Sequence, residues 1–265
     1  TLKMLSNIVF NKGICDIILA RMDNPFKKFF GSISKFGDGA ENSAVGIDIG
    51  SSAIKVVEIK KKGGRAILET YGAIALGPYD ALDIGRVTNL SVEKLAEALR
   101  EVVKQSGVAA TSAGFSIPVQ SSLIFPIELP VQAEEKEMAE IISTEARKYI
   151  PVPITEVSLD YFVLPQKEAS FEEMNIVVND SGVPRKPADK MGVLVVATQN
   201  DATSKYRSIV SESGLSASFF EIEVFSSIRS NFEHELSPVL LMDFGASRTK
   251  LSIVEFGMIK NYHTI

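Results

Sequence analysis

The chain has 265 residues, a net charge of −5, 45% hydrophobic and 23% charged residues. That is a soluble globular balance, with room for one large or two ordinary domains, and its sign argues against a general nucleic-acid binder. A single cysteine, Cys15, excludes an intramolecular disulfide framework. With only His234 and His263, a His/Cys metal cluster is not expected, and no uninterrupted apolar run is long enough to span a bilayer.

Residues 1–21 fit poorly with the rest of the chain. Polar residues interrupt them too often for a signal-peptide core. They are expected to lie upstream of the natural start, with Met22 as initiator, or else to form a separate helix. In Met22–Phe36, Asn24 and Pro25 provide a cap and a first helical position. Phe26, Phe29, Phe30, Ile33 and Phe36 share one helical face, with Lys27, Lys28 and Lys35 among them. Such a basic amphipathic helix suits an anionic membrane surface, or packing on its own domain or a partner. Residues 37–43 read as a linker, so 1–43 form an N-terminal extension.

Ala44–Ile59 (AVGIDIGSSAIKVVEI) reads as strand, tight polar turn, strand. Asp48 ends the first strand, and Gly50, Ser51 and Ser52 form the bend. Glycine lets backbone approach a phosphate, and successive N–H groups with two hydroxyls can surround the anion. A carboxylate just before the turn can hold the hydration shell of Mg²⁺. A P-loop or Rossmann turn leads into a helix, and this one leads into a strand. The alternative is an ordinary hairpin with a Gly-Ser turn. Lys60–Arg65 is a charged turn, and Arg65–Ala75 continues as a third meander strand. Ser91 caps a helix that runs to Gly107, with Leu95, Leu99 and Val102 on its apolar face. Ala113–Ile117 returns as a strand, so residues 44–117 form an α/β core.

From Pro118 to Gly214 the pattern changes to β-α-β-β-α, read as one inserted subdomain. It comprises strand Ser121–Leu129, helix Ala133–Ile150, strands Glu156–Leu164 and Gly192–Thr198, and helix Asn200–Ser213. Pro126 suggests an edge strand or a bulge. The polar stretch Pro165–Lys190 reads as a hairpin extension, and the carboxylates of the Ala133–Ile150 helix as a solvated face. Residues 215–238 lead back to the core, with a helix over Glu221–Leu236.

Residues 239–265 then repeat the first hairpin. In VLLMDFGASRTKLSIVEFG, Asp243, Gly245, Ser247 and Lys250 align with Asp48, Gly50, Ser52 and Lys55 at one constant offset. A repeated phosphate hairpin implies two related lobes facing one nucleotide. This resembles the two phosphate motifs of the actin-like ATPase superfamily, which includes actin, chaperone ATPases, sugar kinases and FtsA. The second lobe is expected to be only begun, its completion needing on the order of 100 further residues.

From about Pro25 onward the chain resembles the PilM family, the actin-like component of type IV pilus assembly. The residues that carry this are GIDIGSSAIKVVEI (46–59), EARKYIPVPITEVSLDYFVL (145–164), VLVVAT (193–198), EIEVFSSIRS (221–230) and LLMDFGASRTKLSIVEFG (240–257). The resemblance implies an actin-like (ribonuclease H-like) α/β core with an SHS2-like insert. It also implies ATP binding with Mg²⁺, and a scaffold on the cytoplasmic face of the inner membrane. There, a groove between core and insert would hold the short cytoplasmic N-terminal segment of a PilN-like membrane protein, alongside other pilus components. ATPase activity is expected to be weak or absent, partner contacts are not assigned to residues, and self-association is left open.

By the same resemblance, Gly50, Ser51 and Ser52 would cradle phosphates, with Asp48 near Mg²⁺ and Lys55 within reach of a phosphate unless it points away. Asp243, Gly245, Ser247 and Thr249 would form the second motif, with Asp243 ordering metal or water and Arg248 exposed. The family usually shows Asp where Glu221 stands. The adenine-contacting glycine motif expected after the second hairpin is not in the sequence, which puts ATP binding by this 265-residue piece in doubt. Two alternatives stand beside this reading: an FtsA-like division protein, and a small-molecule kinase of the same superfamily.

Overall fold

The computed structural model describes residues 43–62, 65–130, 135–164, 190–232, 237–255 and 257–265. The expected N-terminal extension with its Phe/Lys helix, and the hairpin extension expected after Leu164, lie outside these residues. In chain order the first elements are β1 (Ser43–Ile49), β2 (Ala53–Lys62), β3 (Arg65–Ala75), α1 (Val92–Gln105), β4 (Ser112–Ile117), β5 (Ser122–Pro130) and α2 (Glu135–Ala146). Then come β6 (Val157–Val163), β7 (Lys190–Gln199), α3 (Asn200–Ser213), β8 (Ser216–Ile222), α4 (Glu223–Asn231), β9 (Val239–Phe244), β10 (Thr249–Glu255) and β11 (Met258–Thr264).

The described residues form two compact units, one of them residues 122–199 and the other the remainder. In the larger unit a five-stranded sheet has the order β3-β2-β1-β4-β8. Strands β1 to β3 form an antiparallel meander, and β4 and β8 add in parallel. Strand alternation explains its core. Val45, Ile47 and Ile49 of β1, Ile54 and Val56 of β2, and Ala113, Phe115 and Ile117 of β4 are buried in one cluster. Helix α1 supplies Leu95, Ala98, Leu99 and Val102 to the same cluster. Ser91 caps it, and Gly107 follows in a left-handed conformation at φ +68°. Strands β9, β10 and β11 form a separate antiparallel sheet of the same unit.

Residues 122–199 form an antiparallel sheet of order β5-β7-β6. Met138, Ile142 and Ala146 of α2 pack on Phe125, Ile127, Leu129, Tyr161, Val193 and Val195. Pro126 lies on edge strand β5, where a missing N–H can face away from the ladder.

Three expectations change. The insert ends at Gln199 rather than Gly214, and residues 118–121 also stay with the larger unit. Helix α3, expected as the insert's last element, buries Tyr206, Ile209 and Val210 in the core of the five-stranded sheet. The insert is therefore β-α-β-β. The helix expected over Glu221–Leu236 starts two residues later, at Glu223, because β8 runs through Ile222 in parallel pairing with Ile117.

Candidate functional site: two matched hairpin turns

The first turn is set by its strands. Asp48 stands opposite Lys55 in the β1–β2 register. The Gly50 N–H donates to the Ala53 carbonyl at 3.0 Å. A Cβ on Gly50 would lie 3.1 Å from that oxygen, so a larger residue would crowd the closing bond. The Ser51 carbonyl accepts from the Thr88 N–H at 2.9 Å and the Thr88 hydroxyl at 3.2 Å. The Ser52 carbonyl accepts from the Leu76 N–H at 2.8 Å. The turn's carbonyl side is thus tied down by two neighbouring segments. Across β4, the Ser116 hydroxyl donates to Asp48 Oδ1 at 2.8 Å. Asp48 Oδ2 lies 3.5 Å from Lys55 Nζ, with the two side chains 41% and 65% exposed. Such a pair is screened and weak.

The second turn repeats this geometry. The Gly245 N–H donates to the Arg248 carbonyl at 3.0 Å, and a Cβ there would lie 3.0 Å from the same oxygen. Asp243 stands opposite Lys250 in the β9–β10 register. Thr249 exchanges backbone hydrogen bonds with Ile265 at 2.9 and 2.8 Å, and Arg248 is exposed. The two turn tips meet: the Ser51 hydroxyl donates to the Ser247 hydroxyl at 3.3 Å.

The two hairpins differ at their lysines. Lys250 is only 14% exposed, and its Nζ lies 2.7 Å from Glu223 Oε2 and 3.0 Å from Asp243 Oδ2. Glu223 opens helix α4, and its Oε1 accepts the Val119 N–H at 3.0 Å. Burial alone would lower the Lys250 pKa, but the hydrogen bonds and charges of Glu223 and Asp243 outweigh it and hold the ammonium above its ordinary value. Beside these groups is a cavity of about 10 Å³, bordered by Glu223, Asp243 and Lys250, room for about one water. The Tyr206 hydroxyl donates to the Ile49 carbonyl at 3.4 Å. Burial, and then the charges of Asp48 and Glu223, push this phenol well above its usual range, so it keeps its proton.

The structure therefore brings Asp48, Gly50, Ser51, Ser52 and Lys55 to one turn and Asp243, Gly245, Ser247 and Thr249 to the other. Sequence reasoning missed Ser116, Thr88 and Glu223, and it aligned Lys250 with Lys55 without giving it a role. Glu221 does not join the site: its buried carboxylate makes a two-pronged ion pair with Arg229. Among the described residues no group of three or more His, Cys, Asp or Glu side chains could hold a metal. Single carboxylates suit Mg²⁺ carried chiefly by phosphate oxygens and water. Among the same residues no helix is long and apolar enough to cross a membrane.

A family model described as type IV pilus assembly protein PilM matches residues 46–182. The chain belongs to the PilM family. Among solved structures it is similar to a chain of a PilM–PilN type IV pilus biogenesis complex, at 22% identity and a TM-score of 0.62. The match covers 84% of this chain and 61% of that one, so this PilM-family chain spans about three-fifths of its relative. It is also similar to the cytoplasmic domain of EpsL, an inner-membrane component of the type II secretion system of Vibrio cholerae. There the identity is 9% and the TM-score 0.51, over 84% of this chain and 71% of that one. At these identities the likeness is one of fold, and the fold is that of the actin-like ATPases.

Proposed function

We propose that this PilM-family chain is a nucleotide-binding scaffold of type IV pilus assembly. It holds ATP with Mg²⁺ between its two hairpin turns, and it binds the cytoplasmic N-terminal segment of a PilN-like protein at the inner face of the inner membrane. The observation that carries the nucleotide part is the meeting of two equivalent Asp-x-Gly turns through Ser51 and Ser247. Gly50, Ser51 and Ser52, with Gly245, Ser247 and Thr249, offer N–H and hydroxyl donors to phosphate oxygens. Asp48 and Asp243 flank the turns, and Lys55 adds a cation at the rim. The metal, when bound, neutralises phosphate charge. The partner part is supported by membership of the PilM family and by the solved relative's being in complex with PilN. Its role is coupling rather than turnover.

The test is an affinity pull-down of the full-length protein from its own detergent-solubilised membranes, read by mass spectrometry. A single-pass protein with a short cytoplasmic N-terminus, recovered with other pilus components, is expected. Division proteins in their place move the assignment to an FtsA-like role. For the nucleotide, Gly50→Val is expected to weaken ATP binding at least about tenfold in calorimetry, because the side chain crowds the turn that faces the phosphates. Unchanged affinity removes this turn from the site.

A further inference from the structure

We infer that the far tip of the β2–β3 hairpin is a contact surface for an anionic lipid bilayer. Lys60, Lys61 and Lys62 meet the headgroups, and Ile67 and Leu68 reach the edge of the apolar layer. The inference deepens, and rests on, the reading of this chain as a scaffold at a membrane face. Nucleotide binding plays no part in it.

The tip is where the ribbon outruns its own core. Along β2, Ile54, Val56 and Glu58 face inward and are buried. The same parity continues through Lys60 and Lys62, yet both are exposed, as is Lys61 on the opposite face. The last inward group with a role in the core is Glu58, whose carboxylate is taken by the Ala109 and Ala110 amides. Across the ribbon, Lys60 stands opposite Ile67 and Ile59 opposite Leu68. Ile67 and Leu68 are 40% and 39% exposed. The overhang therefore sets two exposed apolar side chains among three exposed ammonium groups.

Its charge is not neutralised locally. Lys60–Arg65 contains four basic residues, and no acid occurs between Glu58 and Glu69. Among the described residues none of the three lysines is ion-paired. The whole chain carries −5, so a long polyanion that ran beyond the tip would meet repulsion. A bilayer touches the tip alone. Each lysine near an anionic bilayer adds attraction, its methylene stem lies along the interface, and the isoleucine and leucine leave water there.

The chain's other basic and apolar stretch joins the fold at this same end. Ser43, where the described structure begins, pairs with Lys60. Met22–Phe36, whose sequence reads as a basic amphipathic helix, is separated from it only by residues 37–43, which span at most roughly 25 Å. Its phenylalanines and lysines are thus tied to the end of the sheet that carries the tip, and the Gly50–Ser52 turn is at the other end of β1.

The test is flotation of the full-length protein, without any partner, on phosphatidylcholine vesicles with and without about one-third phosphatidylglycerol. Binding is expected only with the anionic lipid, and should fall as salt shortens the Debye length. The triple substitution Lys60→Gln, Lys61→Gln and Lys62→Gln is expected to weaken partitioning at least about tenfold. Its thermal midpoint should match wild type, because all three side chains are in solvent. Ile67→Ser is expected to weaken partitioning about threefold by a factor that salt leaves unchanged, since it removes apolar area and no charge. Failure of the wild-type protein to float on anionic vesicles, equal flotation on both kinds, or a triple variant that floats like wild type overturns the inference. A triple variant that floats normally but loses affinity for a DNA duplex overturns it too, and assigns the lysines to nucleic acid. The pull-down tests the scaffold reading separately: a protein that recovers pilus components but ignores bare vesicles keeps that reading and loses this one.

Discussion

Glu58→Ala is expected to destabilise the larger unit by about 2–4 kcal/mol, the cost of leaving one buried and one part-buried donor without their acceptor. Glu58 lies on β2, in step with Ile54 and Val56, and all three side chains face the core. At 4% exposure it is one of few buried charged residues in the described structure. Its carboxylate accepts the Ala109 N–H at 2.8 Å and the Ala110 N–H at 3.2 Å. Those amides belong to the segment that carries the chain from α1 into β4. The acid therefore supplies the hydrogen bonds that a ladder would otherwise give to a partly buried connection. It also sets the entry to β4, the strand that brings Ser116 to Asp48. A β-bulge between Glu58 and Ile59 in the pairing with β3 marks the local adjustment. Thermal unfolding should drop by roughly 5–15 °C for a unit of this size. Glu58→Gln, with one acceptor oxygen kept and an amide turned toward the other N–H, should lose about half as much. A Glu58→Ala midpoint within a degree of wild type would show that the two amides find other acceptors.

The elements were legible where a local rule acts alone. Alternation and a glycine turn mark each hairpin, and each turn closes on a hydrogen bond from its glycine N–H. Ser91 and Gly107 bracket α1 by capping chemistry. What was not legible depends on which surfaces meet. The amphipathic pattern of α3 shows that Tyr206, Ile209 and Val210 need a core, but not which of two cores receives them. Glu221 and Glu223 look alike in the sequence. The change from strand to helix between them sends one carboxylate to Arg229 and the other to Lys250. Lys55 and Lys250 share a motif position, yet one is solvated and the other held between two carboxylates, because only the second hairpin has the first turn of α4 beside it. Glu58 was obscured because Val56 and Val57 are adjacent β-formers, so the run does not declare which parity faces inward.

That same dependence on surroundings gives Asp160 of β6 the largest pH effect expected among the described residues of the unit formed by 122–199. It stands opposite Val196, which is buried, and shares its face of the strand with buried Phe162. Burial pushes its carboxyl up to about 7, from an ordinary value of 3.8. In the unfolded chain the group ionises near pH 4. Between about pH 4 and pH 7 the folded chain therefore holds a proton that the unfolded chain has lost, and stability falls as pH rises through that window. Above it the group is charged in both states, and the desolvation cost is fully present. A shift of about three units corresponds to about 4 kcal/mol at most, and water reaching a partly exposed carboxylate reduces this to about 2 kcal/mol. Asp160→Asn keeps the shape and removes the charge. It is expected to raise stability at pH 8 by about 2 kcal/mol and to change it little at pH 4. Urea denaturation of both proteins at a series of pH values isolates the effect, because every other titrating group contributes equally to the two curves. Curves that stay parallel from pH 4 to pH 8 would mean that Asp160 ionises in the folded protein as it does in water, and that its face of the sheet is wet.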